Sequence, residues 1–306
     1  MDTQTLFEKF YENIRLTKKQ KEDAKTKYNG VCKKLHDHYY PETTYTGDTK
    51  LLIGSYGKHT NIRPPRDVDV LFIMPPEKFD QYNDNSSNAQ SQLLQDIKNI
   101  LSDKYTTSDR LKAWGKVVLI EFSDGHHNIE LLPAWLQVDG KFLIPNTENG
   151  GHWDYWDSKA EIKKIQESNN NNNKKTIPLI RMIKKWSDNC TVKLKSYEIE
   201  NGVLGFINLY NSFLAYSELV KQFLEYFHNI TIDNSIKSHL KTALDRTRKA
   251  CEFEQEDNLY KAVAEWKKIF GDDFPSCDDE KDVAALQILS KPIINPPKPH
   301  GYKIEP

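Results

Sequence analysis

Asp67 and Asp69 stand two residues apart in the run Asp67-Val68-Asp69-Val70-Leu71-Phe72-Ile73-Met74. The β-branched and aromatic content of this run, closed by Pro75-Pro76, predicts a strand. Side chains alternate along a strand, so the two carboxylates project the same way while Val68, Val70 and Phe72 face a core. Two anions aimed at one spot beside apolar surface repel each other, and the arrangement is costly unless a cation lies between them. Magnesium, a hard ion that prefers oxygen ligands and substrate phosphates, fits best.

A strand and a turn must deliver a phosphate to that spot. Lys50-Leu51-Leu52-Ile53 reads as a short apolar strand running into Gly54-Ser55. There glycine lets the backbone approach a ligand and serine adds a hydroxyl donor. A short helix after such a turn would offer N–H groups to a triphosphate. Gly-Ser alone is an ordinary turn; its spacing ahead of the paired aspartates is what carries the functional reading. His59, Arg63 and Arg66 lie close by, either as phosphate contacts or as solvent charges.

The stretch GSYGKHTNIRPPRDVDVLF resembles the signature of the polymerase-β-type nucleotidyltransferases, and specifically the bacterial CD-NTases, the cGAS/DncV-like nucleotidyltransferases. That resemblance implies a third acidic residue on a later strand. Lys116 to Phe122, a turn at Ser123-Asp124-Gly125, and His127 to Ala134 read as a hairpin. Glu130, shortly before Pro133-Ala134, resembles the third metal ligand, where the family more often carries aspartate. Glu121 is the rival for that role, and it also reads as a solvent-facing strand residue.

The second half carries a further likeness. Pro178 to Trp186 is helical in character, and Lys193-Leu194-Lys195-Ser196-Tyr197-Glu198 opens another helix with Ser196 as its expected N-cap. This is similar to the family's pairing of a lysine late in one helix with Ser-Tyr at the start of the next. By that resemblance Gly54, Ser55, Lys184 and Ser196 hold the triphosphate and Tyr197 stacks on a base. Without it, Lys184 would read as an exposed lysine and Tyr197 as a core aromatic.

The resemblance implies an α+β fold: a polymerase-β-like nucleotidyltransferase lobe with a central mixed sheet, over residues 1–150, and a C-terminal helical lobe over 151–306. It also implies Asp67, Asp69 and Glu130 around two Mg2+ ions, with Mn2+ able to substitute, and NTP substrates, ATP and GTP foremost. The product would be a cyclic di- or trinucleotide second messenger read by a downstream effector, as in bacterial anti-phage (CBASS) signalling. Two other readings use the same residues: a nucleotidyltransferase acting on an RNA, protein or drug, and a non-catalytic nucleotide-binding regulator.

Composition sets outer bounds. The chain has 306 residues, a net charge of −1 and a pI near 6.8, so no overall basic field invites long nucleic acid. The lysine-rich stretch from Lys18 to Lys34 is the local exception and reads as a solvated helix face. Cys32, Cys190, Cys251 and Cys277 lack zinc-site spacing and fit a reducing bacterial cytoplasm. The zinc-bearing insertion of the animal cyclic GMP-AMP synthase has no counterpart here, and no apolar run is long enough to cross a membrane. Residues 5–40 suggest one helix, 49–145 a strand-rich region, and 76–92 a polar loop before a helix through Leu93 and Ile100. Helical pattern resumes from about Trp153, with segments from Val203 to Phe227 and Ile236 to Phe253. Phe206, Phe213, Tyr216 and Phe223 read as core, Asn169 to Asn173 as a loop, and Pro292 to Pro299 as an extended tail.

Overall fold

The computed structural model describes residues 2–84, 88–105, 111–124, 126–209 and 213–277; the Pro-rich stretch at 292–299 lies outside them. Helices α1 (Thr3–Ile14) and α2 (Lys18–Tyr39) lead into strand β1 (Lys50–Leu52), a single helical turn α3 (Gly54–Gly57) and strand β2 (Val68–Ile73). The expectation of one helix over 5–40 is therefore corrected to two. Thr17 breaks the run because it caps α2, its hydroxyl accepting from Gln20 N while Gln20 reaches back to Thr17 N. The 76–92 loop likewise contains a short helix, α4 (Phe79–Asn83), before α5 (Ala89–Ser102).

Strands β3 (Leu111–Trp114), β4 (Val117–Ile120), β5 (Ile129–Leu136), β6 (Phe142–Asn146) and β7 (His152–Trp156) complete the sheet. Its order is β1-β2-β5-β4-β3, with β6 continuing from β5 to β7. Only β2 and β5 run parallel, so the sheet is mixed. Val68, Val70 and Phe72 are fully buried against α2 and α5, and the 116–134 hairpin forms as β4 and β5. The helical pattern expected from Trp153 starts later, because β7 pairs with β6 through Trp156.

The remaining helices are α6 (Ser158–Asn171), α7 (Thr176–Asn189), α8 (Ser196–Ile207), α9 (Tyr216–Ile230), α10 (Asn234–Gln255) and α11 (Leu259–Phe270). The expected 203–227 segment is thus two helices, and α6 takes in most of the asparagine run. Left-handed Asn173 and Lys174, at φ of 52° and 59°, turn the chain into α7. A second apolar cluster joins α7 to α11, and Leu6, Phe7, Phe10 and Ile14 of α1 are fully buried within it. Phe206 and Phe223 are buried there as expected, and Tyr216 is at its edge. Phe213 is corrected: it is 81% exposed in the connection before α9. Among the described residues no helix is long and apolar enough to cross a membrane, and the four cysteines are free.

Candidate active site

The parallel pairing of β2 with β5 sets Asp69 directly opposite Glu130. Opposed residues on neighbouring strands share a face, so the register alone brings these carboxyls together. Two carboxyls so placed favour sharing one proton over both ionising. Burial, followed by the charges of Asp69 and Asp67, pushes the Glu130 carboxyl up to about 7. Burial also raises Asp69, with Asp67 adding to the effect against the Glu130 hydrogen bond.

Asp67 lies one residue before the strand, and its Oδ1 accepts from Asn128 Nδ2 at 3.0 Å. It is near enough to raise both other carboxyls, yet among the described residues no three such groups are drawn round a common point. The donor set still fits magnesium. It is all hard oxygen, it is destabilised by its own repulsion, and it leaves positions for water and phosphate, which magnesium keeps more readily than a closed protein cage. Glu121 stands apart, 3.6 Å from Lys112, and Asp124 pairs with Lys27.

The Gly-Ser turn abuts this pair. Gly54 has φ +53°, and a Cβ there would fall 2.0 Å from Asp69 Oδ2. Ile53 N bonds Asp69 O at 3.1 Å, tying the turn to the carboxylate strand through the backbone. Asp69 and Glu130 open on a cavity of about 390 Å³ shared with Lys116, Asp154, Tyr155 and Trp156. On the other side of the turn, Ser55 lines a narrow cleft of about 60 Å³ with Arg66, Lys184, Asp188 and Ser196. Arg66 is paired with Asp188 at 2.7 Å.

Three readings of the helical half need correction. Lys184 is not an exposed lysine: it is 6% exposed, with Nζ 2.8 Å from Glu200 Oε1 and 2.9 Å from Thr60 Oγ1. Burial pushes its ammonium down while Glu200 pulls the other way. Ser196 is the first helical residue and Lys195 is the cap, because Glu198 accepts from Lys195 N at 2.7 Å. Tyr197 is 54% exposed, so the core reading fails and its ring is open. It borders a cavity of about 260 Å³ with Lys58, Glu161, Lys164 and Glu200.

Lys58, Thr60 and Glu200 carry the junction and were not singled out in sequence. Glu200, 4% exposed, takes Lys184 and Thr60 on one oxygen and Lys58 on the other. Burial works against its charge, but the two lysines outweigh it and hold Glu200 below the usual carboxylate range. The available signal was Lys58 itself, one helical turn after Gly54.

A mixed sheet carrying paired carboxylates behind a Gly-Ser turn, closed by helices, is the fold of a CD-NTase nucleotidyltransferase, as the solved structures bear out. Escherichia coli MS115-1 CdnC with ATP matches at TM-score 0.66 and 16% identity over 90% of this chain and 99% of that one. Vibrio cholerae DncV matches in its apo form at 0.71 and 14% identity, over 88% and 96% of the two chains. A probable cyclic nucleotide synthase of Bacillus cereus strain VD146, IK1_05630, is 23% identical over 283 residues, covering 77% of this chain and 85% of that protein. Residues 1–169 match the Second Messenger Oligonucleotide or Dinucleotide Synthetase domain (SMODS), and the chain belongs to that family.

Proposed function

We propose that the protein joins NTPs into a cyclic di- or trinucleotide second messenger. The observation that carries this reading is the register that sets Asp69 against Glu130 immediately behind Gly54, in a chain of this family. Asp67, Asp69 and Glu130 would hold Mg2+ or Mn2+, with Asp67 leaving Asn128 to join them. Bound there, two metals would acidify the acceptor hydroxyl and neutralise charge on the leaving pyrophosphate.

The chain's own groups orient the substrates. Ser55 donates to the donor triphosphate at the turn, and the exposed face of Tyr197 stacks on its base. Lys164 borders the same cavity as Tyr197, where Lys58 is paired with Glu161 and Glu200. The acceptor's ribose hydroxyl attacks the α-phosphorus, its proton passes to the Glu130 carboxylate, and the bond to pyrophosphate breaks. A second transfer within the linear product closes the ring. Lys184 acts through the junction, holding Thr60 and Glu200 behind the turn.

ATP and GTP are the expected substrates, since CdnC has been solved with ATP and CdnG of Bradyrhizobium diazoefficiens with GTP. DncV has been solved with the linear intermediate pppA(3′,5′)pG, which supports stepwise closure. A bacterial anti-phage role, with an effector that binds the product, follows from the family reading.

The test is incubation with all four NTPs and Mg2+ or Mn2+, phosphatase treatment, and mass spectrometry beside Asp67→Ala/Asp69→Ala. Phosphatase-resistant cyclic nucleotides from the intact protein alone are expected. Pyrophosphate release that needs an added RNA or protein acceptor would replace this reading with transfer to a macromolecule.

A further inference from the structure

A larger cavity than the one at the carboxylates lies on another part of the molecule. It measures about 700 Å³ and opens between α1, α2, α7 and the segment leaving the Gly-Ser turn. That is the size of a pocket for a small molecule. Five cations border it, Arg15, Lys21, Lys25, Lys174 and Arg181, and no acidic side chain lines it. The Glu12 carboxylate nearby is committed to Arg15.

Arg181 is the decisive residue. It is 7% exposed, yet its guanidinium meets only neutral groups, Tyr11 Oη at 3.2 Å and Asn61 Oδ1 at 3.2 Å, and its Nε is buried without a partner. A buried charge is strongly disfavoured without an opposite charge or a full set of hydrogen bonds. Among the described residues Lys21, Lys25 and Lys174 form no ion pair either, and Lys21 and Lys25 are exposed at the rim. Tyr11, Tyr28, Tyr56 and Tyr216 supply aromatic wall, suited to a flat ring between the charges.

We propose that this cavity binds a small, multiply charged anion bearing a planar ring, its acidic groups on Arg181, Lys21 and Lys25 and its ring among the tyrosines. The anionic groups are phosphates or carboxylates; both satisfy the same cations. The site is wired to the turn, because Tyr56 belongs to α3 and Asn61 follows Thr60, which Lys184 and Glu200 hold. An occupant would therefore change the rate of synthesis, a consequence that rests on the function proposed above; the binding itself does not.

The probe is pyranine, a fluorescent planar trisulfonate, titrated into the full chain and read by fluorescence polarisation. Saturable one-to-one binding is expected, weakened at least about tenfold in Lys21→Ala/Lys25→Ala, whose side chains are exposed and not needed for folding, and in Arg181→Met. Asp67→Ala/Asp69→Ala should bind pyranine as the wild type does. Competition by mononucleotides would identify phosphate as the natural group, and competition by benzene polycarboxylates would identify carboxylate. Affinity unchanged by Lys21→Ala/Lys25→Ala, or lost in Asp67→Ala/Asp69→Ala, overturns the proposal. Because pyranine binding is read without NTPs, an inactive enzyme that still binds the probe separates failure of the proposed function from failure of this site.

Discussion

Gly54→Ala puts the coupling of turn and carboxylates to a direct test. The new methyl would lie 2.0 Å from Asp69 Oδ2 and 2.7 Å from its Cγ, where an ordinary contact is above 3 Å, so one partner must move by about 1 Å. Asp69 cannot retreat freely, because Glu130 faces it on the neighbouring strand. A displacement of that size at a reacting centre costs about 100-fold in rate, or about 2.7 kcal/mol of transition-state stabilisation. Alanine at φ +53° adds about 1–2 kcal/mol of backbone strain. Gly115→Ala is the control: its φ is +55°, with nothing within 4 Å of an added Cβ, so it bears the strain alone. Urea unfolding and pyrophosphate release, measured on both variants, separate the two effects. We expect Gly115→Ala to lose stability but keep turnover, and Gly54→Ala to lose turnover about 100-fold. Gly54→Ala turning over within threefold of wild type would refute the argument that the turn and Asp69 are packed as one unit.

Three further outcomes follow from the same geometry. Tyr197→Ala should raise the KM for NTP by about 5- to 150-fold, from roughly 1–3 kcal/mol of lost stacking, while Tyr197→Phe and the melting temperature stay near wild type; a fall in melting temperature would mean a core ring instead. Glu200→Gln leaves the buried Lys184 ammonium without a charged partner, while Lys58 keeps Glu161 at 2.8 Å, and should cost about 3–5 kcal/mol in urea unfolding, whereas a loss below about 1 kcal/mol would show that water reaches Lys184. In metal-free protein, Glu130 sits at about 7 against an ordinary 4.5, so the folded state binds the extra proton and stability falls as pH rises through that window. Glu130→Gln should flatten this fall in a melting-temperature profile, and Mg2+ should raise the wild-type melting temperature above pH 7 but not that of the variant; equal slopes would remove Glu130 from the pair.

The carboxylate strand was legible because its signal is local. Alternation over Val68 to Phe72 marks Val68, Val70 and Phe72 as core, and all three are fully buried, as is Leu71 on the opposite face. What placed Glu130 opposite Asp69 is not local: parallel pairing joins segments about 60 residues apart, and periodicity in either strand carries no information about the other's register. The family likeness supplied that step. Helix breaks were missed at Thr17 and after Ile207 because hydrophobic period continues across a cap, while the cap is a single side-chain hydrogen bond.

Lys184 shows how the partners of a side chain can lie beyond the reach of its local sequence. A lysine late in a helix beside Ser-Tyr invites the reading of an open cation, and nothing near it in sequence says otherwise. Its partners come from two distant places, Thr60 behind the Gly-Ser turn and Glu200 on the next helix. The ammonium thereby joins the carboxylate lobe to the helices that carry Tyr197. A salt bridge so enclosed contributes little net stability, since desolvation offsets attraction, but removing either member is costly. Its value lies in fixing where the two halves meet. The function proposed above would need a triphosphate, two carboxylates and a stacked base held in one geometry, and a fixed junction would then bear on rate through that geometry.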